Sequence, residues 1–264
     1  MRTILTIAGF DPSAGAGILA DIKTMSAFGC YGVAAITSLT LQNTTGVFGA
    51  YNQTGESVTG QLAALFDDFD IAAVKTGMLP TAEVIEAVAS VIASRSAGPL
   101  VVDPVVRSTS GYDLIDDMAL GSLVGTLFPL ATIVTPNRAE AERITGVHIT
   151  DRPAAELAAK VIREKQGRAV LLQDWDGQSP EATDLLLDEE GFFDYSSDRI
   201  VSRNTHGTGC TLSSAIASLL ARGVSLRDAI PVAKQYVVSG IQTAPGLGRG
   251  HGPLNHFPHG ADLT

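Results

Sequence analysis

The chain is short of cysteine, of positive charge and of long apolar runs, and each shortage removes a class of function. Cys30 and Cys210 are its two cysteines in 264 residues. They stand far apart and show no metal-ligand spacing. A chain of this length without a disulfide framework reads as cytosolic and reduced. Lys and Arg number 18 against 28 Asp and Glu, a formal charge of −10. That balance argues against a general nucleic-acid or anionic-membrane surface. It leaves room for a small anion, which backbone N–H groups can hold locally. The opening "MRTILTIAGF" is too short to span a bilayer and runs at once into polar sequence, so it reads as a first strand rather than a signal peptide. No apolar run elsewhere reaches spanning length. No glycine is followed by lysine, so the Walker A loop is absent and a P-loop ATPase is disfavoured. Repeats, low-complexity linkers and composition shifts are missing too, so a single domain over 1–264 is expected.

What is present is apolar and glycine-rich: 45% apolar residues, 17% charged and 27 glycines. This is the composition of a compact globular protein. Short β-rich runs at 3–8, 32–39, 72–77, 99–104, 131–136 and 169–173 alternate with helical patterns at 16–28, 56–69, 81–95 and 153–167. That order predicts an α/β fold with a mostly parallel sheet covered by helices. The order breaks at 182–197, where two strands around Glu189, Glu190 and Gly191 predict a hairpin. Helices over 208–222 and 226–243 follow. The Gly-, Pro- and His-rich tail reads as loop.

In a parallel sheet of this kind, ligands bind beyond the carboxyl ends of the strands. The segments "GFDPSAGAG", "LQNT", "KTGML", "DPVVRSTSG" and "TPNRAE" all follow strands. Their shared edge predicts a site. "GLGRGHG" has alternating glycines but no strand before it, so it is no dinucleotide fingerprint. His251, His256 and His259 read as loop or surface histidines, with no helix or hairpin to orient them on a metal.

The stretch "NTHGTGC" carries the sharpest chemistry. Gly207 and Gly209 permit a tight turn, and the helix behind them presents its first-turn N–H groups and its positive dipole end. The loop has the physics of an anion hole. Two roles are open for its residues. Thr208 can be an ordinary N-cap and Cys210 a small buried residue. Alternatively, Cys210 is a thiol whose pKa the helix terminus lowers, able to attack as a nucleophile or to accept a proton. His206 is close in sequence, with no direction given for its ring.

Seven segments occur in order across nearly the whole chain: "GFDPSAGAGILADIKT", "LTLQNTTGV", "VKTGML", "VVDPVV", "TPNRAEAE", "NTHGTGCTLSSAIA" and "GHGPLNHF". Together they resemble the hydroxymethylpyrimidine/phosphomethylpyrimidine kinases of thiamine biosynthesis, in the ribokinase-like superfamily. The resemblance implies one three-layer α/β domain, ATP and Mg²⁺, a pyrimidine alcohol as substrate, and a homodimer. It implies an anion hole at Gly207, Thr208 and Gly209, with Cys210 as the base facing the substrate hydroxymethyl group. It assigns the pyrimidine to Gly9, Gln42, Met78 and Val105, with Asp21 near the same pocket. It places nucleotide at Asn137, Gln173 and Thr205, and Mg²⁺ at Glu140 and Asp103. Two positions depart from the family: Gln173 and Thr109 stand where many members have lysine, and Arg107 is near enough in sequence to Thr109 to compensate. The alternatives are a pyridoxal or pyridoxine kinase and a non-catalytic pyrimidine-binding protein.

Overall fold

The computed structural model describes residues 1–95, 97–107, 111, 113–166 and 168–258. Six strands form a parallel core: β1 (Thr3–Phe10), β2 (Tyr31–Asn43), β4 (Ile71–Thr76), β5 (Leu100–Val102), β6 (Ile133–Val134) and β7 (Ala169–Leu172). Antiparallel strands extend both ends, β3 (Gly46–Asn52) at one and the hairpin β8 (Glu181–Asp188) with β9 (Gly191–Asp198) at the other. The spatial order is β3-β2-β1-β4-β5-β6-β7-β8-β9.

Both faces of this sheet are covered, which explains why its strands read as continuous apolar runs rather than alternating ones. Leu5, Ile7, Val102, Val170 and Leu172 face one core, closed by Val58 and Leu62 of α2 (Gly55–Asp68), Val84 and Ile85 of α3 (Ala82–Ser94) and Ile162 of α6 (Arg152–Gln166). Ile4, Val101, Ile133 and Leu171 face the other. There they meet Met25 of α1 (Gly17–Ala27), Leu212 and Ile216 of α7 (Thr208–Ala221) and Ile230 of α8 (Leu226–Gln242). The result is the three-layer α/β arrangement that the resemblance implies.

Two elements escape the periodicity reading. The second strand does not stop at 39 but continues to Asn43 and turns back into β3. "GVFGAYN" interleaves glycines with large residues, so it carries no clean period-two signal. Between β5 and β6, the short helix α4 (Asp117–Ser122) runs into a π-helical turn at Leu123–Leu127 and a 3-10 turn at Phe128–Leu130. Leu127 and Phe128 there are fully buried. Changing helical pitch every few residues erases the single 3.6 period that identifies a helix in sequence.

Candidate active site

The carboxyl ends of the parallel strands converge on one cavity of about 640 Å³. Its walls bring together every residue expected there except Asp21. Gly9, Gln42, Met78 and Val105 line one part, Asn137, Glu140 and Gln173 another, and Thr205, Gly207, Thr208, Gly209, Cys210 and Asp103 the floor. Thr109 lies outside the described residues. Gln42 sits on β2 itself rather than in a loop after it. The register between β2 and β3 shifts between Leu41 and Gln42. Thr40 and Gln42 both reach the cavity, while Leu39 and Leu41 are exposed.

Gly207 is the N-cap of α7, not Thr208, which is already the first helical residue. Gly207 has φ 84°, and a Cβ there would lie 1.9 Å from the Gly15 carbonyl oxygen. Only glycine tolerates both the left-handed backbone and the approach. The turn starts α7 at the cavity, whose lining includes Thr208, Gly209 and Cys210, first-turn residues whose N–H groups have no acceptor inside the helix.

Asp21 belongs beneath this floor. It is completely buried on α1, where Lys75 of β4 donates to both its oxygens at 2.9 and 3.0 Å. Thr6 and Ser214 donate to it as well, at 2.6 and 2.7 Å. A carboxylate with every lone pair engaged inside the core is a structural anchor and not a first contact for substrate. Sequence alone put Asp21 near the pocket, but its helix turns it inward toward the buried lysine. Burial pulls the Lys75 ammonium down; neighbouring carboxylates, Asp21 first and then Asp103, more than offset this and keep it charged. Its nitrogen is 4.0 Å from Asp103.

The thiol at Cys210 runs against the expectation of a lowered pKa. Burial is the dominant influence and pushes it up to about 12; Lys75 and the Gly17 N–H pull it down, while Asp103 and Asp21 push it further up. The group is a thiol in the ligand-free protein. Burial also raises the Asp103 carboxyl, against the pull of Lys75.

Asn137 and Glu140 form a capping box at the start of α5 (Arg138–Thr145). Asn137 accepts from the Glu140 N–H at 3.0 Å, and Glu140 accepts from the Asn137 N–H at 2.9 Å. "NRAE" is therefore a helix start as well as a site element. Glu140 is only 6% exposed. Burial first, then the Asp103 charge, push its carboxyl up to about 8. Two buried carboxylates that repel each other at a cavity wall suit a divalent cation with oxygen ligands and several waters. Among the described residues no group of three or more His, Cys, Asp and Glu is arranged as a metal cage.

Beside Asn137, to which its backbone is bridged, the Gln173 side chain donates to the Thr135 carbonyl. Gln173 thus braces the loop after β6 and brings no charge. Arg107 and Arg143 reach the cavity rim. Arg107 pairs with Asp113 at 2.8 Å and Arg143 with Asp117 at 3.2 Å. Arg143 was not legible as a site residue: it stands in the last turn of α5, where a cation reads as ordinary dipole pairing. Asp11, Thr40 and His206 also line the cavity; in the sequence the His206 ring has no direction, and Asp11 and Thr40 carry no local signal of a site. His206 Nε2 is 2.8 Å from Asp11 Oδ2. The two ends of the Gln42 carboxamide are 3.2 Å from that Nε2 and 3.1 Å from Thr40 Oγ1.

The family model described as Phosphomethylpyrimidine kinase matches residues 11–255. The chain belongs to that family. It is a kinase, a phosphotransferase of the thiamine-biosynthesis type. The hydroxymethylpyrimidine/phosphomethylpyrimidine kinase of Haemophilus influenzae is 39% identical, over 98% of this chain and 98% of that one. The thiamine biosynthesis bifunctional protein ThiED of Geobacter sulfurreducens is 45% identical over 99% of this chain, which spans about half, 53%, of that longer protein. Among solved structures, the phosphomethylpyrimidine kinase of Clostridium difficile 630 superposes with a TM-score of 0.81 at 38% identity, covering 91% of this chain and 100% of that one. The pyridoxal kinase of Staphylococcus aureus in complex with pyridoxal superposes with a TM-score of 0.90 at 29% identity, over 99% of this chain and 96% of that one. The shared backbone is thus common to kinases of two different rings, and ring choice lies in the side chains on it.

Proposed function

We propose that this kinase transfers the γ-phosphoryl group of ATP to the hydroxymethyl group of 4-amino-5-hydroxymethyl-2-methylpyrimidine, and then phosphorylates the monophosphate. The observation that carries the reading is the single cavity in which Gln42 and Cys210 face one space, with the α7 N-terminus as its floor. In this reading Gln42 pairs with the aminopyrimidine edge, because a carboxamide offers a donor and an acceptor side by side. Gly9, Met78 and Val105 pack on the ring. The N–H groups at Gly207, Thr208 and Gly209 stabilise charge on the transferred phosphoryl group. Asn137, Thr205 and Gln173 flank the nucleotide, and Arg107 with Arg143 supplies the positive charge that Gln173 lacks. Glu140, through water, and Asp103 would hold Mg²⁺, which supplies charge neutralisation at the phosphates when bound.

Proton bookkeeping follows from the resting thiol. Cys210 becomes an acceptor only as the thiolate, its own proton released to water as the substrates enter the cavity, and the nearby Lys75 charge favours that form. The substrate hydroxyl proton then replaces it on sulfur. The whole chain acts as one kinase domain in the cytoplasm, as a homodimer. Exposed Leu39, Leu41, Phe48 and Tyr51 on the β2–β3 ribbon support that assembly.

Phosphorus NMR on protein supplied with Mg·ATP and the pyrimidine alcohol tests the chemistry. The expected products are ADP and a phosphate monoester, then a diphosphate ester. ADP without any ester, or no turnover, contradicts the proposal.

A further inference from the structure

The Gln42 carboxamide has two ends of similar outline, and protons decide which end is the carbonyl. Placed, as here, with the oxygen on Thr40, the amide meets two conflicts. Thr40 has one hydroxyl proton, yet the Phe10 carbonyl at 3.0 Å and the Gln42 oxygen at 3.1 Å would both draw on it. The amide nitrogen would also face His206 Nε2 at 3.2 Å. That ring nitrogen lies 2.8 Å from Asp11 Oδ2. Asp11 accepts from Ser13 N–H, Ser13 Oγ and Ala16 N–H at 2.8, 2.7 and 3.0 Å. Burial raises its carboxyl, but these bonds and His206 outweigh that and hold it below the ordinary range. An ionised carboxylate only accepts, so His206 Nε2 carries a proton and donates. Two N–H donors would then confront each other.

Turning the amide over removes the confrontation of donors and frees the Thr40 proton for one acceptor. Thr40 donates to Phe10 and accepts from the Gln42 nitrogen; the Gln42 oxygen shares the His206 Nε2 proton with Asp11, at 3.2 Å against 2.8 Å. We infer that Asp11, His206 and Thr40 lock the Gln42 amide with its carbonyl toward His206, and that this lock makes the site select a 4-aminopyrimidine over its 4-oxo counterpart. The inference rests on the pyrimidine reading above and deepens it. A 4-aminopyrimidine presents an exocyclic donor beside a ring-nitrogen acceptor. The 4-oxo ring presents the reverse, an acceptor beside an N–H donor. A fixed amide satisfies one pattern and opposes both bonds of the other; a free amide rotates and satisfies either.

The surroundings are built to hold the ring still. A Cβ on Gly15 would lie 2.5 Å from His206 Cδ2, so the imidazole packs against bare backbone. The His206 N–H donates to the Gly252 carbonyl at 3.1 Å, which ties it to the tail segment. Asp11, His206 and Thr40 are positioning residues here: they act on the ring through Gln42.

Two measurements test this. Neutron diffraction on deuterated, ligand-free protein reads the amide directly. Deuterons on the Thr40 side support the lock, and deuterons on the His206 side overturn it. Calorimetry then compares 4-amino-5-hydroxymethyl-2-methylpyrimidine with its 4-oxo analogue in the native protein, in Thr40→Val and in His206→Phe. The native protein is expected to favour the amino ring by about 100-fold or more, because mismatched buried donors and acceptors stay unpaired. Each variant should shrink that ratio at least about tenfold, with the oxo analogue gaining affinity. Thr40→Val keeps the side-chain outline and stays informative if His206→Phe does not fold. Ratios unchanged in a folded variant overturn the lock. Binding of neither ring in the native protein overturns the pyrimidine reading and the selectivity drawn from it, and the neutron map still decides the amide by itself.

Discussion

Cys210 shows two local forces meeting on one atom. A helix N-terminus lowers a thiol's pKa, and burial raises it. The outcome depends on residues from other elements: Gly17 from α1, Lys75 from β4 and Asp103 after β5. The sequence made the loop and the cysteine legible, because "GTGC" ahead of an apolar run is a local signal. The sign of the shift was not legible, because the burial comes from the packed layers. Native protein is therefore expected to react with iodoacetamide at pH 7.5 at least about 100-fold more slowly than free cysteine. Cys30 is buried too, with its pKa raised by that burial. Rapid modification of Cys210, mapped by mass spectrometry, would contradict the assignment of a resting thiol. Lys75 was visible only as part of a strand, yet it pairs with Asp21 at zero exposure for both side chains. Lys75→Met leaves Asp21 charged and unpaired, which costs about 3–5 kcal/mol. The double variant Lys75→Met, Asp21→Asn should recover most of that loss in urea titrations. Equal instability of the single and double variants would show that the ion pair is not the anchor.

Elements differ in how plainly they announce themselves. The strands buried on both faces and the amphipathic helices were legible from apolar runs and 3.6 periodicity. The β2–β3 ribbon was not, and it is the ribbon that presents Thr40 and Gln42 to the cavity. The tail was read as loop, which holds, but its histidines divide. His251 is exposed, His259 lies outside the described residues, and His256 is buried behind α7 and α8. Thr211 Oγ1 lies 3.4 Å from His256 Nε2, and the Tyr236 hydroxyl donates to its carbonyl. Burial, with help from Lys23, lowers the imidazole to about 4. The folded state thus binds fewer protons than the unfolded chain between that value and the ordinary value of about 6.5. Stability from this site is complete above about pH 6.5, falls as the pH drops toward 4, and loses at most roughly 3 kcal/mol. Thermal melts from pH 7 to 4 should fall less steeply in His256→Gln than in the native protein. Parallel curves would remove His256 as the cause.

At the scale of the whole molecule, the three layers and the convergence of strand ends followed from the strand–helix order. Ring choice did not, since kinases of pyrimidine and pyridoxal rings share this backbone. In the reading proposed above it rests on the Gln42 carboxamide, whose partners come from β2, the loop after β1 and the loop before α7. Assembly is decided at this scale too. Sedimentation equilibrium should give two chains per particle, and Leu41→Lys with Phe48→Glu should give one. A native monomer would contradict the dimer. The central claim, a pyrimidine-alcohol kinase, is tested most directly by kcat/KM for the pyrimidine alcohol against pyridoxal under one Mg·ATP concentration. A preference of at least about 100-fold for the pyrimidine is expected, because a site whose part-buried amide is matched to one ring leaves it unpaired with the other. Equal values, or a preference for pyridoxal, would contradict it.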